Sequence, residues 1–251
     1  SADDRAVHVA AAGDLGASDD TDAVLRGVSR SGASAMLMLG DLSYGEPGGE
    51  QQWCSWVLRR LGQVRALLLA GNHDDGRNGF IDDFADCLPP PLPGTTGQYG
   101  RQYAFDMPTD KPLVRFVMVS PGIDFGRGEL DYREGSKRYD WTRDQIRDAR
   151  AQGIPFVVVG VHKPCLTIGR YGCDSGQDLM NLLINERVDL VLHGHEHHYQ
   201  RTKQLTNHVD GCRRVKANRY DADCVADPDA QLDAGAGTVF VTVGTGGAKL
   251  R

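Results

Sequence analysis

Residues 188–201 read VDLVLHGHEHHYQR, an apolar run over 188–192 that stops at Gly194 amid His193, His195, His197 and His198. A short apolar run bounded by glycine reads as a buried strand entering a loop. In an extended segment side chains two apart share a side, so His195 and His197 are expected to face one site. Imidazole is the commonest protein ligand for transition metals. The bland alternative is a polar loop with incidental histidines. Four other apolar runs stop in the same manner, at Asp14, at Asp41 with Tyr44, at Asn72 with His73, and at His162. One aspartate after a strand signals little, because Asp is a common turn residue. Ligand-type side chains after five runs are hard to explain as turn chemistry. Oxygen and imidazole donors without thiolate suit iron, zinc or manganese. Seven candidate donors are too many for one tetrahedral ion and suit two ions that share a carboxylate.

The elements that position these residues follow from periodicity. Strands are expected at 6–12, 35–39 and 66–70, each followed by a Gly-led polar loop, with helices at 19–31 and 50–61 and a short one at 80–87. The Pro- and Gly-rich segment 89–100 reads as a surface loop. Strand-like runs follow at 102–107 and 113–119, then a helix at 139–152 and a strand at 156–161. Ser175 is a candidate N-cap for a helix reaching Arg187. Residues 203–236 read as a long excursion, and 239–243 as a last strand. Strands alternating with helices predict an α/β fold with parallel pairing, and ligand sites in such folds collect at the carboxyl ends of the strands. No repeat or linker divides the 251 residues, so a single domain over 1–251 is expected.

Composition narrows the function classes. The formal net charge is −6, which leaves no electrostatic footprint for nucleic acid and argues against an anionic membrane as partner. No apolar run approaches the roughly 20 residues that span a bilayer, so no stable membrane insertion is expected. The six cysteines make no C-x-x-C pattern. Cys165 with Cys173 and Cys212 with Cys224 fall in two polar loops and suggest disulfides, with Cys54–Cys87 as the remaining pair. That usage predicts an exported protein, its signal peptide already removed.

The ordered blocks GDLG, GDLSY, GNHD, VGVH and GHEH, from Asp14 to His197, resemble the calcineurin-like metallophosphoesterases and, within them, the purple acid phosphatase branch. Most of that superfamily has Asp-x-His in the first block. Here the histidine position is Gly16, and the branch's tyrosine in G-D-x-x-Y matches Tyr44. The resemblance implies a four-layer αββα sandwich with mixed sheets. It implies Asp14, Tyr44 and His197 on a first metal, Fe(III), and Asn72, His162 and His195 on a second, divalent Zn, Mn or Fe, with Asp41 bridging. Such a pair would neutralise phosphate and acidify a water, whose hydroxide attacks phosphorus in line. His73 would contact phosphate together with Asn72, or protonate the leaving oxygen, and Asp74 would orient it. His193 and His198 are expected to support the site or to be plainly structural, without ligating.

The chain also departs from the branch. Purple acid phosphatases carry one or two further histidines after the fourth block, where this chain has KPCLTIGRYGC and Tyr171 falls in a histidine's place. Fewer cationic partners favour a diester with its single charge. The expectation is a secreted dinuclear hydrolase of small phosphodiesters, of glycerophosphodiester or lipid head-group type. Alternatives are a purple acid phosphatase-type phosphomonoesterase and, in another class, a non-catalytic metal- or phosphate-binding module. The sequence does not set the oligomeric state.

Overall fold

Apolar runs four to six residues long, each followed by glycine or a polar turn, build the strands of two sheets. The computed structural model describes residues 6–46, 48–227, 229 and 232–251. Strands β1 (Val9–Ala12), β2 (Ala35–Leu39) and β3 (Arg65–Leu69) pair in parallel in that order. The crossovers are α1 (Asp19–Arg30) and α2 (Gly49–Leu61), and α3 (Ile81–Cys87) follows β3. Helix α1 starts at Ser18, whose hydroxyl accepts the Thr21 N–H at 3.1 Å, with Asp19, Asp20 and Asp22 in its first turn and Arg30 in its last. The cap and the charges each complement the helix dipole.

The second half of the chain adds β4 (Thr96–Gln98), β5 (Gln102–Met107), β6 (Val114–Val119), α4 (Lys137–Ala151), β7 (Phe156–Val161), α5 (Gln177–Asn185), β8 (Leu190–His193) and β9 (Tyr199–Arg201). A small hairpin of β10 (Gln204–Leu205) and β11 (Val225–Asp227) precedes β12 (Val239–Val243). The larger sheet has the order β4-β5-β6-β7-β8-β12-β9, parallel from β6 through β8 to β12 and antiparallel at its ends.

Alternation of side chains along buried strands separates three apolar layers. Leu37, Leu39, Leu67 and Leu69 of the small sheet meet Tyr103, Phe105, Phe116 and Met118 of the large one. On the other side of the small sheet Met36, Met38 and Leu68 pack against Leu25, Val57 and Phe84 of the helices. Val117, Val159 and Val191 of the large sheet pack against Ile146, Leu179 and Leu183. The layers are therefore helix, sheet, sheet, helix, the αββα sandwich with mixed sheets. Leu37 and Leu67 are wholly buried between the sheets, so cutting either to Ala should cost about 2–5 kcal/mol.

Four local expectations are corrected. The segment 89–100 is not all loop: β4 lies within it as an exposed edge strand, bent at Gly97 with φ 91°. Ser175 does not cap α5, because Gly176 occupies the cap position and gives no side-chain bond. The first strand is shorter than 6–12, and the excursion 203–236 contains the β10–β11 hairpin. Positions 228, 230 and 231 of that excursion lie outside the described residues. All three disulfides form, Cys54–Cys87, Cys165–Cys173 and Cys212–Cys224. No helix among the described residues is long and apolar enough to cross a membrane.

Candidate metal centre

The loops after β1, β2, β3, β7 and β8 converge at one end of the sandwich, and they carry all seven candidate donors. Their backbone is unusual. Asp14, Asp41, Tyr44 and His195 have φ of 61°, 55°, 57° and 69°, and they make four of the six non-glycine residues with positive φ among the described residues. Such conformations cost about 1–3 kcal/mol each and persist where the surroundings fix them for a task. Glycine makes the convergence possible at two places. A β-carbon on Gly71 would overlap the Asp41 carboxylate, and one on Gly40 would lie 2.6 Å from both Gly71 N and His162 Nδ1.

The donors fall into two sets. In the first, the Tyr44 hydroxyl donates to Asp14 Oδ1 at 3.0 Å and lies 3.2 Å from His197 Nε2, which is itself 3.3 Å from Asp14 Oδ1. Three donors so close together can share one ion. In the second, Asp41, His162 and His195 each bring a donor atom within 4.8 Å of the others. Asn72 joins them, its Oδ1 3.1 Å from His162 Nε2. Asp41 Oδ1 is 3.3 Å from His162 Nε2 and also accepts the His73 N–H at 2.9 Å. The sets are wired to each other, because Asp14 Oδ2 accepts the His195 N–H at 2.7 Å.

Backbone carbonyls fix two of the rings. His162 Nδ1 donates to Leu39 O at 2.7 Å and His197 Nδ1 donates to Lys249 O at 2.9 Å, which leaves each Nε2 facing the site. Tying one nitrogen down in this way is the usual support of a ligating histidine. His195 Nε2 is buried without a hydrogen-bond partner. Burial, helped by the charges of His162 and Lys163, holds its pKa down at about 2 and keeps the imidazole neutral, as a metal ligand requires. Burial, then the charges of Asp14 and Asp41, drives the Tyr44 phenol far above its usual range. A phenol against two carboxylates favours deprotonation only beside a cation. The hydrogen bond to Asp14 raises His197. These groups fit an ion at each set.

Two expectations about geometry change. His195 and His197 do not alternate along an extended strand. β8 ends at His193, and the left-handed turn at His195 sends the two rings to different donor sets. Asp74 does not orient His73. Its carboxylate is fully buried and accepts the N–H groups of Asp41, Leu42 and Gly71 at 2.7, 3.0 and 2.8 Å. It therefore pins the loops after β2 and β3 together. Burial, then the charge of Asp41, raises its pKa. His73 lies instead against Asn78, Nδ1 to Oδ1 at 2.9 Å, with its Nε2 3.9 Å from Asp41 Oδ2 and its side chain 38% exposed at the mouth.

Tyr171 stacks on the His195 ring, centroids 4.0 Å apart, and its hydroxyl accepts from Arg251 at 3.3 Å. Residues missed from the sequence include Glu196 and Asn78. Glu196 is 1% exposed and accepts the Tyr171 N–H at 2.7 Å and the Thr167 hydroxyl at 3.2 Å, holding the loop 165–173 over the site. A lone carboxylate between two ligand-type histidines was the available signal. His193 is buried and stacks on Phe240; burial, with the charge of His162, takes its pKa down to about 3.

A family model described as calcineurin-like phosphoesterase matches residues 7–199. A purple acid phosphatase of Glycine max is 24% identical over 248 residues, 94% of this chain and 50% of that relative. Purple acid phosphatase 18 of Arabidopsis thaliana is 26% identical over 212 residues, 80% of this chain and 46% of that relative. A probable inactive purple acid phosphatase of the same plant is 30% identical over 117 residues, 44% of this chain and 16% of that relative. The chain spans about half the length of the first two. Among solved structures, a purple acid phosphatase from yellow lupin (Lupinus luteus) seeds shares the fold with a TM-score of 0.65 at 18% identity, over 97% of this chain and 45% of that one.

Proposed function

Because this chain belongs to the calcineurin-like phosphoesterases, in their purple acid phosphatase-like branch, we propose that it is an exported, two-metal hydrolase of small phosphodiesters. One observation carries the reading: seven donors from five strand ends gather into two neighbouring sets, Asp14, Tyr44 and His197 in one and Asp41, Asn72, His162 and His195 in the other. Asp14, Tyr44 and His197 would hold Fe(III), and Asn72, His162 and His195 a divalent Zn, Mn or Fe, with Asp41 between. When bound, the two ions supply charge neutralisation for phosphate and an acidic water.

The chain's own residues do the rest. Asp14 and Asp41 are held by backbone N–H groups, so their carboxylates are oriented before substrate arrives. His73, beside Asp41 but on the solvent side, is placed to contact phosphate with Asn72 or to give a proton to the leaving oxygen. Tyr171, stacked on His195, offers a neutral hydroxyl on the substrate side, with Arg251 donating to it and the Arg170 guanidinium 5.8 Å from its ring centroid. A neutral Tyr171 in a histidine's place supports a diester over a monoester. The names of the relatives favour the second reading, a phosphomonoesterase. Three disulfides support export.

Hydrolysis of matched alkyl and nitrophenyl mono- and diesters by the metal-reconstituted protein tests the reading. The expected result is a higher kcat/KM for the diester of each pair. A higher value for the monoester transfers the assignment to a phosphatase. Metal binding without hydrolysis of any ester assigns a binding module.

A further inference from the structure

Beside the candidate metal centre lies a groove of about 600 Å³ whose lining includes none of the seven candidate donors. It runs between the loop 165–173, strand β9 and the segment 215–225. Two of its walls are fixed. Ile168 N donates to Gln200 Oε1 at 2.9 Å and Gln200 Nε2 donates to Leu166 O at 2.8 Å, so the loop is fastened to β9. On the far side Val215 N donates to Asn181 Oδ1 at 2.9 Å, and Cys212–Cys224 closes that segment.

The groove's chemistry differs from the rest of the surface. Arg201, Lys203, Lys216 and Arg219 line it, against one carboxylate, Asp221, in a chain whose net charge is −6. None of those four side chains has a hydrogen-bond or ion-pair partner among the described residues. Elsewhere many of the arginines are paired, as Arg60 with Asp22, Arg101 with Asp82, Arg115 with Asp106 and Arg147 with Glu186. Three of the largest exposed apolar side chains line the same groove: Ile168, Tyr199 and Tyr220 are 87%, 64% and 74% exposed.

We propose that this face docks the protein reversibly on an anionic lipid surface. Unpaired cations provide the attraction, and a negative remainder of the molecule orients the approach. Tyrosine suits the headgroup level, with an apolar body and a polar tip. A soluble anion held within the groove would need the cations but would leave Ile168, at the tip of its loop, in water. An apolar phase covers it. The local charge thus overrides the argument from net charge, while no helix among the described residues is long and apolar enough to cross a bilayer. The other arm of that loop carries Tyr171 on His195, so docking would bring the metal centre to the headgroups. That last consequence rests on the esterase reading; the docking itself does not.

Co-sedimentation of the intact, metal-loaded protein with vesicles tests it. The protein should partition onto phosphatidylcholine vesicles carrying roughly a third phosphatidylserine, not onto phosphatidylcholine alone, and salt should release it. Each Lys or Arg near such a surface adds about fivefold to partitioning, so Lys216→Gln with Arg219→Gln should lower it about 25-fold. Their hydrolysis of bis(p-nitrophenyl) phosphate and their far-UV circular dichroism should be unchanged. Ile168→Ser should lower partitioning further. Wild-type protein that ignores anionic vesicles, or partitioning that the paired change leaves intact, overturns the proposal. Binding of inorganic tripolyphosphate with no affinity for vesicles overturns it in favour of a soluble anion site. Vesicle binding without hydrolysis of any ester would sink the esterase reading and leave the docking standing.

Discussion

The two donor sets differ in charge once Asp41, which lies with the second set, is shared between them as proposed. Asp14 and Tyr44 give the first set two groups that are anionic when metal-bound, with His197 as its neutral member. Asn72, His162 and His195 give the second set only neutral donors. With Asp41 shared, the first set suits a trivalent ion and the second a divalent one. The surroundings differ in the same sense. The first set's donors hydrogen-bond one another, while in the second only His162 and Asn72 do and His195 Nε2 makes no hydrogen bond, lying 3.7 Å from Asp174 Oδ2. Asymmetry in an otherwise shared centre is thus written in the residue types, and strained backbone at Asp14, Asp41, Tyr44 and His195 delivers those types to one point.

The largest effect is expected from removing Asp41, the proposed shared carboxylate. Asp41→Ala should empty or weaken both sites and cost several kcal/mol of transition-state stabilisation, about 10³-fold or more in kcat/KM. Loss of one ion with the other retained would show that Asp41 belongs to one set alone. A narrower cut is His73→Ala, which touches neither set as a ligand. The rate should fall about 10²–10⁴-fold on an alkyl diester with both metals retained. A nitrophenyl ester needs no proton on its leaving group, so the loss there should be smaller. Equal losses on both esters would reduce His73 to phosphate binding.

Asp74 distinguishes support from ligation. Asp74→Ala removes three charge-assisted bonds from the loops that carry Asp41 and Asn72. Metal affinity should drop about 10–100-fold, as for other groups that hold ligands in place. A titration of the divalent ion into the variant reads this directly, and unchanged affinity would contradict the role given to Asp74.

Much of this was legible in the chain before folding. Apolar runs ending in Asp14, Asp41, Asn72, His162 and the 193–198 histidines mark the strand ends, because a buried parallel strand must be apolar and its exit must turn. Cys165–Cys173 and Cys212–Cys224 were legible from their loop-local spacing, whereas Cys54–Cys87 joins two helices 33 residues apart. What was not legible is direction. Asp74 follows His73 in the chain, yet the turn aims its carboxylate inward to three N–H groups. His195 and His197 are two apart, but alternation holds only in extended chain, and His195 has φ 69°. Gly176 displaced Ser175 as the cap of α5 although glycine offers no side-chain acceptor. The groove cations lie on segments of no clear periodicity, and only the fold brings Arg201 and Lys216 together.

As proposed, the first set is an anionic site built on a phenolate and the second set has no phenolate. The visible spectrum of the iron-reconstituted protein, compared with that of Tyr44→Phe, tests it most directly. A Tyr44 phenolate on Fe(III) predicts a charge-transfer band that disappears in Tyr44→Phe while the far-UV circular dichroism stays unchanged. Iron-loaded protein with no visible band, or a band that survives Tyr44→Phe, would contradict the assignment.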